Sequence, residues 1–134
     1  MTVPALPAAR SVPRVDALRL VTVVGLALTA AVHVPVAADH VGAARYLLVS
    51  FDILVVVSAG LAALIAVRHS RSAAAAAVLL ALAAIVAYVA SRSVGLPLED
   101  DDIGDWTNTL GRVAVGAELV VVVGASLLLR RRRP

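Results

Sequence analysis

Four long apolar runs dominate the chain: Leu18–Ala38, Tyr46–Val67, Ala73–Ala90 and Leu110–Leu129. Each is close to the roughly 20 residues that cross a bilayer as a helix. Short polar segments separate them, with Arg68–Ser72 the tightest link and Ser93–Thr109 the longest. The pattern predicts helices over about residues 18–38, 46–67, 73–92 and 108–129. An all-α, up-down four-helix bundle within a membrane is the expected fold. Residues 16–134 form its single domain, and residues 1–15, which hold three of the six prolines, form a cytoplasmic tail.

Ionisable residues interrupt these runs. His33 lies in the first, Asp52 in the second and Glu118 in the fourth; Tyr88 lies in the third, with Arg92 just beyond it. A charged side chain at membrane depth costs about 2.5–3.5 kcal/mol on insertion scales, so such groups usually face protein and often have a task. At a rise of about 1.5 Å per residue, His33 and Asp52 fall about 9 Å from the outer helix ends, Tyr88 about 6 Å and Glu118 about 13 Å. One polar layer in the outer half of the membrane is therefore expected, drawn from all four helices.

Composition sharpens the picture. Apolar residues make up 61% of 134 and the mean hydropathy is +0.96, whereas soluble domains average about 45–50% apolar residues. There is no cysteine, which removes disulfides, Fe–S clusters and thiolate chemistry. The only methionine is residue 1, so a Met-rich copper(I) path is absent as well. All twelve basic residues are arginine, and the net charge is +3. Nine of them (Arg10, Arg14, Arg19, Arg68, Arg71 and Arg130 to Arg133) share one side of a four-span topology, against Arg45, Arg92 and Arg112 on the other. The positive-inside bias then places both termini in the cytoplasm of a plasma-membrane protein. Basic ends of this kind explain the charge without nucleic acid. The first run exceeds the usual 7–15 apolar residues of a signal peptide, so it reads as a crossing. The acidic Glu99–Asp105 stretch lacks the EF-hand pattern and reads as a solvated outer loop.

Candidate chemistry centres on the polar layer. His33, His40, Asp52 and Glu118 offer nitrogen and oxygen ligands suited to a divalent metal such as Zn, Cu(II), Mn or Fe, with Tyr88 and Arg92 as further ligand-binding groups. His33 and His40 are about 10.5 Å apart along a regular helix and do not readily share one ion. The structural alternative pairs Arg92 and Arg112 with Asp52 and Glu118, and uses His33 as an interhelical hydrogen-bond donor. A proton relay and a quinone or haem contact stay open. Haem is disfavoured because His33 and His40 share a helix while His69 belongs to the opposite membrane face. Small residues such as Gly60, Gly116 and Gly124 are candidates for close helix approach. Nucleotide loops, HExxH and GxSxG are missing.

The segments His33-Val-Pro-Val-Ala-Ala-Asp39-His40 and Ser91-Arg92-Ser93-Val94-Gly95-Leu96-Pro97 resemble a group of small four-helix membrane proteins common in actinobacteria. In that group a His-rich end of helix one precedes an acidic-His pair, and a Ser-Arg-Thr-x-Gly-Leu-Pro signature ends helix three. An acidic residue often lies in helix four. Asp39-His40 and Glu118 correspond to these features, while Ser93 departs from the usual Thr. The resemblance implies the fold and the importance of the layer, and it supplies no activity. The reading taken forward is a non-enzymatic membrane protein with an outward-facing polar pocket for a divalent metal or small ligand. It would act as a homo-oligomer or as an accessory subunit of a larger assembly. A proton-coupled transporter or channel subunit is one alternative, and a haem- or quinone-binding redox component is the other.

Overall fold

A computed structural model describes residues 14–39, 45–68 and 70–131. It contains four helices: α1 (Arg14–Asp39), α2 (Arg45–Val67), α3 (Arg71–Ser93) and α4 (Thr109–Arg130). Every one is long and apolar enough to cross a membrane. The expected tail is largely residues 1–13, which lie outside the described residues, as do His40 and His69. Helix α1 begins at Arg14, earlier than the apolar pattern suggests, and carries Pro35 internally. The proline ring withholds one backbone donor from the helix ladder.

Local chemistry sets the helix ends. Ser70 precedes α3, and its hydroxyl accepts from the Ala73 N–H. Asn108 does the same for α4, accepting from Gly111 N–H at 3.0 Å. Both satisfy amides that a helix start leaves unpaired. Arg19 of α1 donates to the carbonyls of Ile65 (2.6 Å) and Ala66 (2.5 Å) at the end of α2. Arg71 of α3 donates to Leu129 O at the end of α4, at 3.0 Å. Each guanidinium thus caps the carbonyl end of a neighbouring helix, where a cation is favourable.

Helix α1 packs broadly on α2 and α4, and α4 packs on α3; the α2–α3 contact is the thinnest. The dry core sits toward the end of the bundle that carries the 68–70 link. It comprises Leu26, Ala62, Ile65, Ala73, Ala74, Ala77, Ala81, Val121 and Ala125. Alanines let α3 approach its neighbours closely there. Two glycines set the α1–α4 distance. A Cβ on Gly124 would come within 2.5 Å of Thr22 Oγ1, and one on Gly25 within 2.9 Å of Val121. Gly60 and Gly116, expected in the same role, face open space, because they lie on exposed helix faces. Large apolar residues are exposed on every helix, including Leu20, Val56, Leu79 and Val123.

The segment between α3 and α4 folds back over the opposite end of the bundle. Gly95 and Gly104 have positive φ angles of 79° and 84°, conformations that glycine adopts without a side-chain clash. Leu98 also has a positive φ, at 66°. Gly104 N–H donates to Arg92 O at 2.9 Å, and the Tyr46 hydroxyl donates to Pro97 O at 2.6 Å. These bonds tie the loop to α3 and to the start of α2.

Candidate functional site

Beneath this loop lies a cavity of about 440 Å³, reached by side chains of all four helices. Its walls are mainly apolar, with Leu47, Leu54, Leu80, Ala84, Ala87, Ala114 and Val115 among them. The cavity occupies the loop-end half of the bundle, away from the buried alanines that pack near the link.

Glu118 and His33 sit in its floor. Glu118 is only 1% exposed and His33 8%. The His33 Nδ1 lies 2.8 Å from Thr29 O. A carbonyl can only accept, so Nδ1 carries a proton and donates it. The remaining ring nitrogen, Nε2, faces Glu118 Oε1 at 3.9 Å, beyond hydrogen-bond reach. Glu118 Oε2 has no hydrogen-bond partner among the described residues. The Phe51 ring lies beside His33, with centroids 5.8 Å apart, and lines the same cavity.

Tyr88 and Arg92 form the upper wall. Gly111 makes room for Tyr88, since a Cβ there would come within 2.5 Å of the Tyr88 ring edge. Trp106 packs edge-on against Tyr88, with centroids 6.2 Å apart. The Arg92 guanidinium lies over the Tyr88 ring, 5.2 Å from its centroid, and pairs with the Asp102 carboxylate. This partner corrects the expectation that Arg92 would pair with Asp52 or Glu118. The loop folds inward at Gly104 and carries Asp102 to the helix end, whereas Glu118 lies about two turns deeper than Gly111. Arg92 is buried, but the Asp102 side chain keeps 38% exposure. Farther along the loop, the Thr107 hydroxyl donates to Asp105 Oδ1 at 3.0 Å. That bond, with the Thr107 amide and the Arg92 charge, holds the Asp105 carboxyl below its ordinary range.

The cavity thus brings His33, Tyr88, Arg92 and Glu118 together. Asp52 does not join them; it is exposed on the outer face of α2, one residue round from the cavity-lining Phe51. Arg112 is exposed as well. Among the described residues, no group of three or more His, Asp or Glu side chains is placed to hold a metal ion. Sequence reasoning missed Phe51 and the pairing of Asp102 with Arg92. It also passed over the buried hydroxyls of Thr22 and Thr29. Periodicity places Gly111 on the face of Glu118, seven residues on, where a small residue lets neighbours approach. Asp102 depends on the path of a loop.

No family model, curated protein or solved structure matches this chain.

Proposed function

We propose that this is a multi-pass integral membrane protein, with both termini in the cytoplasm, that binds a small, largely apolar ligand in an outward-side pocket. The observation that carries the reading is Glu118: a fully buried carboxylate, short of one partner, at the floor of a roomy and otherwise apolar cavity. Buried polar atoms are nearly always satisfied, and an unpaired one costs about 1–3 kcal/mol, more when charged. Small-molecule sites share this pattern of apolar walls and few convergent polar groups. The arginine bias at the link end supports the inward orientation of the termini. A metal is less well supported, because Asp52 stands apart from His33 and Glu118.

Trp106, the sole tryptophan, touches Tyr88 and serves as a natural reporter. The test uses the full chain in nanodiscs and neutral 4-phenylbutanol, with empty nanodiscs as the blank. Saturable change in Trp106 fluorescence is expected, and it should be abolished in Ala84→Phe and Ala87→Phe, which fill the cavity wall. A response that does not saturate, or that survives both fillings, contradicts the reading.

A transport role has one favouring observation. Thr29 and Ser58 are buried with hydroxyls that have no partner among the described residues, and Thr22 is buried farther toward the link end. Proteoliposomes carrying the chain would then pass protons faster than those carrying Glu118→Gln; equal rates count against transport.

A further inference from the structure

The cavity's polar groups are unequal in kind. Its lining holds three carboxylates, on Glu99, Asp102 and Glu118, against one guanidinium, on Arg92. That guanidinium is already paired with Asp102 and stacked over Tyr88. The loop above adds Asp100, Asp101 and Asp105. A low-dielectric cleft lined by one sign of charge concentrates the opposite sign.

The floor points the same way. Since Nδ1 of His33 donates to Thr29 O, Nε2 of the neutral imidazole is an acceptor. It confronts Glu118 Oε1 at 3.9 Å. With Glu118 ionised, two acceptors face each other across a gap too wide for a hydrogen bond, and Glu118 Oε2 has no donor among the described residues. A group with several N–H donors and a positive charge satisfies all of these at once. A hydroxyl brings one donor and no charge, and an anion at this floor would face Glu118 and the His33 Nε2 lone pair. The donors without a partner among the described residues, Arg92 Nε and the Tyr88 hydroxyl, belong to the upper wall. The apolar walls and the thin α2–α3 seam fit a ligand that partitions into lipid and enters from the side.

We infer that the pocket selects a lipophilic protonated amine, held by its ammonium group between Glu118 and His33 with its apolar body along the α2–α3 walls. The inference rests on the pocket reading given above and specifies its ligand class.

Three probes of one shape test it: 4-phenylbutylamine, 4-phenylbutanol and 4-phenylbutyrate. Binding to the full chain in zwitterionic nanodiscs is read by Trp106 fluorescence and by equilibrium dialysis against empty discs. The amine should bind about ten- to a hundredfold more tightly than the alcohol, as for one charge-assisted hydrogen bond, and the carboxylate weakest. Glu118→Gln should bring amine affinity down to that of the alcohol. Alcohol binding should persist in that variant, which also shows that it is folded. Amine and alcohol binding alike, or an amine preference that survives Glu118→Gln, overturns the amine assignment and leaves the pocket standing. No binding of any probe, or binding indifferent to Ala84→Phe and Ala87→Phe, overturns both.

Discussion

Glu118 of α4 and His33 of α1 face each other at 3.9 Å, yet each side chain is anchored, or left unanchored, independently of the other. His33 is fixed by its own helix through Thr29 O, while Glu118 is held by packing and makes no side-chain hydrogen bond among the described residues. The pair is therefore not a closed ion pair that holds two helices in register. It is a gap with polar rims, and the ligand reading follows from that difference.

The Arg92–Asp102 pair should respond unequally to removal of its two halves. Asp102→Ala strands a guanidinium in a buried position; breaking a fully buried pair costs about 3–5 kcal/mol, and the solvent that reaches Asp102 brings the cost here below that. Arg92→Met keeps the apolar stem and leaves a carboxylate that already reaches solvent. Thermal unfolding in detergent should thus show a larger drop for Asp102→Ala than for Arg92→Met. The reverse order would contradict the assigned pairing.

Four glycines should separate into two classes. Gly124→Ala meets Thr22 Oγ1, and Gly111→Ala meets the Tyr88 ring; overpacking of this kind costs about 1–3 kcal/mol. Gly60→Ala and Gly116→Ala meet nothing, and should stabilise the chain by about 0.5–1 kcal/mol through helix propensity. Melting temperatures check all four. Gly111→Ala should also change Trp106 fluorescence, because Trp106 rests on the displaced ring.

The loop supplies a pH signature. Asp105 titrates below its ordinary range, chiefly because the Thr107 hydroxyl donates to it. A depressed carboxylate contributes stability above the unfolded-state pKa and loses it as pH falls through the folded-state pKa. A carboxyl NMR titration should therefore show Asp105 moving upward in Thr107→Ala. An unmoved midpoint would count against the bond.

The four helices were legible because long apolar runs have few structural outlets, and the observed helices differ from the apolar runs by only a few residues at their ends. The level of His33, Tyr88, Arg92 and Glu118 along the bundle was legible, since it follows from counting residues along a helix. Azimuth was not legible for α2. With Leu47 buried and apolar residues on all sides, α2 has no amphipathic stripe to orient it, and Asp52 falls on the exposed face. Arg92's partner escaped for a different reason. Gly95, Leu98 and Gly104 turn the loop inward through left-handed conformations, and a leucine gives no warning of one.

A lipid-soluble carbodiimide, which attacks carboxyl groups from the membrane phase, tests the central claim most directly. The full chain in nanodiscs would be treated and its modified residues mapped by mass spectrometry, with Ala84→Phe and Ala87→Phe in parallel. Glu118 should be modified in the unaltered chain and spared in both cavity-filled variants. Modification confined to exposed carboxylates such as Asp52, with Glu118 untouched, would contradict a ligand-accessible pocket around it.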